Sequence, residues 1–155
     1  MSAKAPELVI KGFENLRAVV ISASWHEDIC QSLVDGAVRG LKSGAVSKIE
    51  LRKVAGSFEL PLAAQLAFDE GFDLAVVVGV VVRGETAHFD YVCQGVTDGV
   101  MQVSLSRSKP IGFGVLMCES VEQARARAGF ADSFEDKGFD SALAALSVLN
   151  NKKTT

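Results

Sequence analysis

Short apolar runs alternate with amphipathic stretches along this chain, and the longest apolar run lies near its middle. Residues 74–82, LAVVVGVVV, are apolar throughout and end at Arg83 and Gly84. A run this short, rich in valine and bounded by turn residues, predicts a central parallel strand that is buried on both faces. Apolar side chains then recur at helical spacing in residues 89–106, at Val92, Val96, Val100 and Val103. The pattern predicts a strand, a glycine turn and a helix in succession, with Thr86 as the helix N-cap.

The same two patterns recur on either side of this unit. Two more apolar runs predict strands at residues 17–23 and 110–118, and alternating apolar and polar positions predict another at 48–54. Amphipathic stretches predict helices at residues 26–42, 58–70 and 120–128, and from residue 136 or 137 onward, with an irregular loop at 129–135. At least four alternations of strand and helix favour an α/β fold with a parallel sheet, right-handed crossovers and helices on both faces. A further apolar patch, residues 8–10, is typical of an edge strand that pairs with another element, such as a neighbouring subunit.

Composition narrows the class of protein and is consistent with the predicted α/β fold. A chain of 155 residues predicts one domain, 1–155, with residues 1–15 as an N-terminal arm and 151–155 as a frayed tail. The hydrophobic fraction of 48% and the charged fraction of 23% are ordinary for a globular chain. The net charge is −3, and no basic cluster is longer than Lys152-Lys153. We therefore expect no nucleic-acid partner.

The cysteines and the N-terminal residues indicate in which cellular compartment the protein resides. Cys30, Cys93 and Cys118 are far apart and odd in number, with no CxxC spacing. This arrangement favours reduced thiols over a disulfide framework or a zinc site. The first ten residues lack the apolar core of a signal peptide, and no apolar run approaches membrane-spanning length. We expect a cytoplasmic protein with no membrane partner.

Side chains that could bind a ligand or take part in a reaction cluster in the turns that follow the predicted strands. Ligands of open parallel sheets bind just beyond the carboxyl ends of the strands. The turns in question are Ser24-Trp25, residues 55–59, residues 83–88 and the end of the run at 110–118. We expect these turns to form one rim of the sheet and to hold the site.

His88 is one of only two histidines and lies in the first turn of the predicted central helix. Histidine side chains commonly serve as general acids or bases, so His88 is a candidate for that role, although a helix-start histidine can also simply bond to the backbone. His26 follows a strand end, and nothing around it suggests a chemical task. Gly84, Glu85 and Thr86 are compatible either with a phosphate cradle of backbone N–H groups or with an ordinary capped turn.

Three other side chains remain ambiguous from the pattern alone. Trp25 at a strand end either caps the core or offers a surface on which a planar ring stacks. Arg127 lies in the last turn of a predicted helix, where a cation favours the helix dipole whatever its function. Lys137 is ambiguous in the same way. Gly112-Phe113-Gly114 is too short for a dinucleotide fingerprint, and GxGxxG is absent.

Four blocks of the chain resemble the 6,7-dimethyl-8-ribityllumazine synthase family. GVVVRGETAHFDYVC at residues 79–93 is similar to the family's signature. VAGSFELP at 54–61 resembles the family's V-P-G-[AS]-F-E-[IL]-P, with Ala55 in place of proline. PIGFGVL followed by VEQARARAG, residues 110–116 and 121–129, matches a third block, and DKG at 136–138 matches a fourth. The resemblance runs in register from about residue 17 to 150.

This resemblance implies a flavodoxin-like three-layer α/β/α sandwich with a mainly parallel central sheet. It also implies an enzyme, a transferase of riboflavin biosynthesis that works without metal or organic cofactor. The substrates of the family are 5-amino-6-(D-ribitylamino)uracil and 3,4-dihydroxy-2-butanone 4-phosphate. The uracil amine attacks the ketone, an imine forms, phosphate leaves, and ring closure with loss of water yields the lumazine.

The resemblance also assigns roles to individual residues. Trp25 stands where the family stacks an aromatic residue on the pyrimidine, and His88 stands at the general acid/base. Ser57, Phe58 and Glu59 match the segment that holds the ribityl chain. Val80, Val81 and Val82 match the strand end that lines the pyrimidine pocket. Glu85 and Thr86 match the phosphate turn. Phe113, Arg127 and Lys137 are expected from the adjacent subunit of a homopentamer, as an aromatic lid, a guanidinium for phosphate and a supporting cation.

The chain departs from the family pattern at several positions. Trp25 is bulkier than the commoner phenylalanine, Ala55 replaces proline, and Met117-Cys118 replaces a common Thr-Thr pair near the site. The loop at 129–137 is slightly longer than the family's G-x-K-A-G-N-K-G. That compact loop accompanies assembly of pentamers into a capsid, so its absence here predicts an isolated pentamer.

Two alternatives to the synthase are open at this point. A riboflavin synthase that dismutates two lumazines is disfavoured by the blocks at 54–61 and 83–92. A flavin- or lumazine-binding protein on the same scaffold without turnover has no need for His88, Arg127 and Lys137. The synthase is therefore the leading hypothesis.

Overall fold

A computed structural model describes residues 4–152 and contains one parallel sheet. Its four strands lie in the order β2-β1-β3-β4. They are β1 (Arg17–Ser22), β2 (Lys48–Lys53), β3 (Leu74–Val82) and β4 (Ile111–Cys118). The central strand β3 pairs in parallel with both β1 and β4. Its first seven residues are buried, as the unbroken apolar run predicted.

Helices cover both faces of this sheet and complete the three-layer α/β/α sandwich. They are α1 (Glu27–Ser43), α2 (Leu60–Asp69), α3 (His88–Arg107), α4 (Val121–Arg125) and α5 (Lys137–Leu149). One core lies between the sheet and α1 with α5, and it includes Val76 and Val78. The second core lies between the sheet and α2 with α3, and it includes Ala75 and Val77. Alternate residues of β3 therefore serve opposite cores, because successive side chains of a strand point to opposite faces.

The starts of three helices differ from the predicted bounds for local reasons. His26 precedes α1 with a left-handed backbone, φ 55°, instead of forming its first turn. Residues 57–59 form a single 3-10 turn before α2, and Glu59 Oε2 accepts the N–H of Gly56 at 3.0 Å. Helix α3 begins at His88 with Ala87 as its cap, so the prediction of Thr86 as N-cap was off by one residue. Thr86 still takes part, because its Oγ1 accepts the His88 N–H at 3.3 Å.

The C-terminal third follows the prediction apart from a shorter α4. This helix ends at Arg125, not at residue 128, and Ala128 instead forms an antiparallel bridge with Asp136. Gly129 adopts φ 81°, a conformation that favours glycine, and starts the irregular loop. Asp136 caps α5 by accepting the N–H of Phe139.

The predicted edge strand at residues 8–10 does not form within the described chain. This segment is irregular, and Asn150 Nδ2 donates to the Val9 carbonyl at 2.6 Å, which ties it to the end of α5. Residues 1–3 of the predicted arm and 153–155 of the predicted tail lie outside the described residues. No helix in residues 4–152 is both long enough and apolar enough to span a membrane.

Candidate active site

A cavity of about 790 Å³ opens at the carboxyl ends of β1, β2 and β3. Eight of the residues singled out from the sequence line it, namely Trp25, Ser57, Phe58, Glu59, Val80, Val81, Val82 and His88. They come from the turns after β1 and β2, from the end of β3 and from the first turn of α3. Three of the four predicted segments, Ser24-Trp25, 55–59 and 83–88, therefore contribute to one cavity, because parallel strands end at the same edge. The fourth, the end of the run at 110–118, does not line it.

Trp25 forms an exposed aromatic wall of this cavity. Its side chain is 68% exposed, so it does not cap the core. Its backbone is held in place, because the Cys30 thiol donates to the Trp25 carbonyl at 3.1 Å. The ring also lies close to the extended backbone at Gly56, where a Cβ would come within 3.5 Å of the indole nitrogen. An accessible indole held against a neighbouring turn is suited to stacking on a flat ring.

Ser57 contributes a buried hydroxyl to the floor of the cavity. The residue is 5% exposed, and its Oγ has no hydrogen-bond partner within the described chain. Gly79 of β3 makes room for it, since a Cβ at that position would lie 2.4 Å from Ser57 Oγ. An unpartnered buried hydroxyl costs free energy unless a ligand completes its hydrogen bonds.

The neighbouring residues Phe58 and Glu59 face the cavity mouth. Phe58 is 60% exposed and packs on α3 at Gly95, where a Cβ would lie 2.8 Å from its ring. Glu59 uses Oε2 to hold the Gly56 N–H, which fixes the carboxylate at the rim. An ionised carboxylate accepts several hydrogen bonds, so Glu59 retains capacity for ligand hydroxyls.

His88 lies at the first position of α3 with its side chain exposed beside the ends of β3. The preceding turn, residues 83–87, is exposed and contains Glu85 and Thr86, which border the site without lining the cavity. The positive end of the dipole of this 20-residue helix favours an anion at this point.

Arg83, the first residue of this exposed turn, contacts two neighbouring segments of the chain. Its Nε donates to Glu119 Oε2 at 2.9 Å, and its Nη1 lies 3.3 Å from Asp90 of α3. The guanidinium also sits over the Phe89 ring, 4.4 Å from its centroid. These contacts link the ends of β3 and β4 to the first turn of α3, which bears His88.

The remaining predicted residues lie elsewhere in the same chain. Phe113 and Lys137 line a second cavity of about 240 Å³ beside α5. Arg127 lines neither cavity, and its guanidinium lies 5.0 Å from the Phe134 ring centroid. Its Nη1 donates to the Gln123 carbonyl at 2.9 Å. A single copy of the chain therefore does not bring these three residues to His88.

Sequence reasoning overlooked other residues that line the main cavity, among them His26, Tyr91 and Val92. Tyr91 is the only tyrosine, is 75% exposed, and follows His88 by three residues. Residues three apart share a helix face, so the predicted start of α3 held the signal needed to find it. His26 lines the cavity through the turn after β1, although the pattern around it suggested no task.

The three cysteines are unpaired, and burial raises the pKa of each thiol above its ordinary value. They are therefore neutral and weakly nucleophilic near pH 7. Within residues 4–152 no group of three or more His, Cys, Asp or Glu side chains is placed to hold a metal ion. The polar groups that line the main cavity are two imidazoles, a carboxylate, hydroxyls and backbone groups.

A parallel sheet in the order β2-β1-β3-β4, covered on both faces and open at its strand ends, is a flavodoxin-like α/β fold. Comparison with known proteins identifies the family. The family model for 6,7-dimethyl-8-ribityllumazine synthase matches residues 15–153. The 6,7-dimethyl-8-ribityllumazine synthases of Streptomyces avermitilis and Streptomyces coelicolor are each 49% identical over 149 residues, covering 96% of this chain and 92% of theirs. That of Nocardioides sp. is 47% identical over 139 residues, covering 90% of this chain and 86% of its own.

This chain belongs to the 6,7-dimethyl-8-ribityllumazine synthase family. The membership confirms the resemblance that the four sequence blocks indicated, from the signature at 79–93 to the DKG block at 136–138.

Proposed function

We propose that this protein condenses 5-amino-6-(D-ribitylamino)uracil with 3,4-dihydroxy-2-butanone 4-phosphate to form 6,7-dimethyl-8-ribityllumazine in riboflavin biosynthesis. The observation that supports this most directly is the single cavity that gathers Trp25, the turn at 57–59, the end of β3 and His88 in a chain of this family. Such a cavity has an aromatic wall for stacking, groups that can accept hydrogen bonds from substrate hydroxyls, and the His88 imidazole at the start of α3.

The pyrimidine and its ribityl chain occupy this main cavity. The uracil ring stacks on Trp25, and backbone groups of residues 80–82 bind its edge. The ribityl hydroxyls reach Ser57 and Glu59, and the Ser57 hydroxyl gains the hydrogen bond that the free protein does not supply. Phe58, which packs on α3, covers the ribityl chain from that side.

The butanone phosphate binds at the start of α3. Its dianionic phosphate lies at the helix N-terminus beside Thr86, and Arg127 of an adjacent subunit forms the second half of the phosphate site. Glu85 belongs to this turn and keeps its carboxylate away from the phosphate. A guanidinium and a helix terminus stabilise the phosphate as a leaving group because both bear positive charge at fixed positions.

His88 transfers protons at the reacting carbon. The uracil amine attacks the ketone, and loss of water from the adduct gives the imine. Proton abstraction beside the imine then expels phosphate, and the second nitrogen closes the ring with loss of another water. His88 accepts and returns these protons, since an imidazole is both acid and base near pH 7. No organic cofactor or metal takes part in this scheme.

The complete site forms between subunits of a homopentamer in the cytoplasm. Phe113, Arg127 and Lys137 lie away from the main cavity of their own chain, which supports their coming from a neighbouring copy. An apolar surface on the packed helices α2 and α3 supports self-association, with Leu62, Leu66, Met101 and Leu105 each more than half exposed. Because the loop at 129–137 is long, we expect isolated pentamers. Light scattering or native mass spectrometry would instead show a capsid-sized particle if this expectation is wrong.

The activity is tested by mixing the purified protein with both substrates and following lumazine absorbance and fluorescence, with product mass as confirmation. We expect product formation well above that of a protein-free control. If the protein does not accelerate lumazine formation but the pyrimidine or a flavin still quenches the fluorescence of Trp25, the protein binds these ligands without turnover.

A further inference from the structure

The loop that precedes α5 contains the one charged residue in residues 4–152 that is buried. Glu135 is 8% exposed, and only 4% of its side chain is accessible. Its Oε2 lies 3.0 Å from Lys137 Nζ. This contact lacks the geometry of a hydrogen bond, and no other donor in the described chain reaches either carboxylate oxygen. A buried carboxylate with a single cationic partner depends on that partner, because an unpaired charge in the interior is costly.

We propose that Glu135 is a positioning residue, one that holds the Lys137 ammonium where it meets the substrate. The proposal rests on the proposed function, in which Lys137 is the supporting cation of the site. Lysine needs such a partner because it is a compact charge on a flexible stem, unlike the rigid guanidinium of arginine.

Lys137 faces a cavity, whereas its partner Glu135 is buried outside that cavity. The lysine side chain is 34% exposed and lines the cavity that also contains Phe113, the expected aromatic lid. Glu135 does not line this cavity. The carboxylate therefore holds the ammonium by charge from outside the cavity and leaves its N–H groups available to the cavity. An acidic partner lining the cavity would instead compete with an anionic substrate.

The backbone of the loop is built firmly enough to fix this carboxylate. The Glu135 N–H donates to the Ala126 carbonyl at 3.2 Å, and its carbonyl accepts the Gly129 N–H at 3.0 Å. The Lys137 N–H donates to the Arg127 carbonyl at 2.9 Å. The segment that holds Lys137 is thus bonded directly to Arg127, the other cation assigned to the adjacent site.

Nearby carboxylates are engaged differently. Asp136 caps α5 and forms an ion pair with Arg39 at 2.8 Å. Asp140 lines the second cavity, but no ion pair within 4.0 Å joins it to Lys137 in the described chain. Glu135 is therefore the carboxylate that determines where the ammonium lies.

A double-mutant cycle tests whether Glu135 acts through Lys137. The variants are Glu135→Gln, Lys137→Gln and the pair together, with kcat and KM measured for each substrate. We expect each single variant to lower kcat/KM by about ten- to a hundredfold, the scale of a misplaced binding group. The double variant should be no worse than Lys137→Gln alone. Losses that multiply would show that Glu135 acts independently of Lys137 and would overturn the proposal.

Two further variants separate positioning from folding. Asp132→Asn removes an exposed carboxylate of the same loop that makes no ion pair within residues 4–152, so it should retain wild-type kcat/KM. Glu135→Asp keeps the charge with a shorter reach, so it should fold and lose less activity than Glu135→Gln. An aspartate variant as impaired as the glutamine variant would contradict a role for the carboxylate charge.

A measurement without turnover separates this proposal from the proposed function. In a brief acetic anhydride pulse read by peptide mass spectrometry, Lys137 should be acetylated several times faster in Glu135→Gln than in wild type, relative to exposed Lys42. Unchanged Lys137 labelling refutes the positioning role even in an active enzyme. Failure of the wild-type protein to form lumazine refutes the proposed function, and with it the substrate-facing role of Lys137, whatever the labelling shows.

Discussion

Two equally buried serines should respond in opposite ways to loss of their hydroxyl groups. Ser22 and Ser57 are each 5% exposed. Ser22 Oγ donates to the Ala23 carbonyl at 2.8 Å, whereas Ser57 Oγ has no partner in the described chain. Replacing either residue with alanine removes one oxygen and leaves the rest of the side chain in place. The pair therefore isolates the effect of hydrogen-bond satisfaction from that of burial.

The expected magnitudes follow from these contacts. Ser22→Ala removes a satisfied hydrogen bond and should lower the free energy of unfolding by about 0.5–1.5 kcal/mol. Ser57→Ala removes an unsatisfied buried hydroxyl and should raise that free energy by about 1–2 kcal/mol. The two variants should therefore differ in Tm by several degrees, since about 1 kcal/mol corresponds to roughly 2–4 °C for a chain of this size.

The same substitution should weaken function. If the Ser57 hydroxyl binds the ribityl chain, Ser57→Ala should raise the Kd of the pyrimidine substrate by about two- to tenfold. Both effects can be measured on one preparation, by urea unfolding at fixed protein concentration and by quenching of Trp25 fluorescence. A Ser57→Ala variant that is destabilised as much as Ser22→Ala would refute the inference that the hydroxyl is unpartnered. Unchanged pyrimidine affinity would remove Ser57 from the substrate site.

Four further predictions concern the site and its surroundings. His88→Ala should slow turnover by about ten- to a thousandfold while leaving thermal unfolding unchanged, because the side chain is exposed. Arg127→Ala should raise KM for the phosphate substrate with little change for the pyrimidine in steady-state kinetics. The half-buried Cys93 should react with iodoacetamide before the buried Cys30 and Cys118. Burial raises the pKa of Asp140 above its ordinary 3.8, so its contribution to stability is present below that pH and is lost as pH rises through the folded-state pKa. The unfolding free energy of Asp140→Asn should therefore rise relative to that of wild type as pH increases from below 3.8 through the raised folded-state pKa of Asp140.

Each of these predictions has a result that contradicts it. Full activity in His88→Ala would remove the imidazole from the proton transfers. Equal increases in both KM values for Arg127→Ala would contradict the division into phosphate and pyrimidine sites. Simultaneous alkylation of all three cysteines would show that the thiols do not differ in accessibility. A difference between Asp140→Asn and wild type that is the same at every pH would show that Asp140 titrates alike in the folded and unfolded chains.

The amino-acid sequence by itself determined the layers of the fold and most of one wall of the site. The bounds of β3 were predicted without error, because a strand buried on both faces has no polar positions to blur its ends. The parallel sheet followed from the alternation of strands and helices. Since parallel strands end at one edge, the turns with Trp25, Ser57 and His88 were predicted to meet, and they do.

Tertiary structure decided the features that depend on distant segments. No sequence pattern shows that Gly79 of β3 leaves room for the hydroxyl of Ser57, or that the Glu135 carboxylate is buried against Lys137. The starts of α1 and α3 shifted by one residue or more because caps and turns compete locally with the helix. Phe113 and Lys137 lie away from His88 because strand order and helix packing, which spacing along the chain does not encode, determine which residues share a cavity.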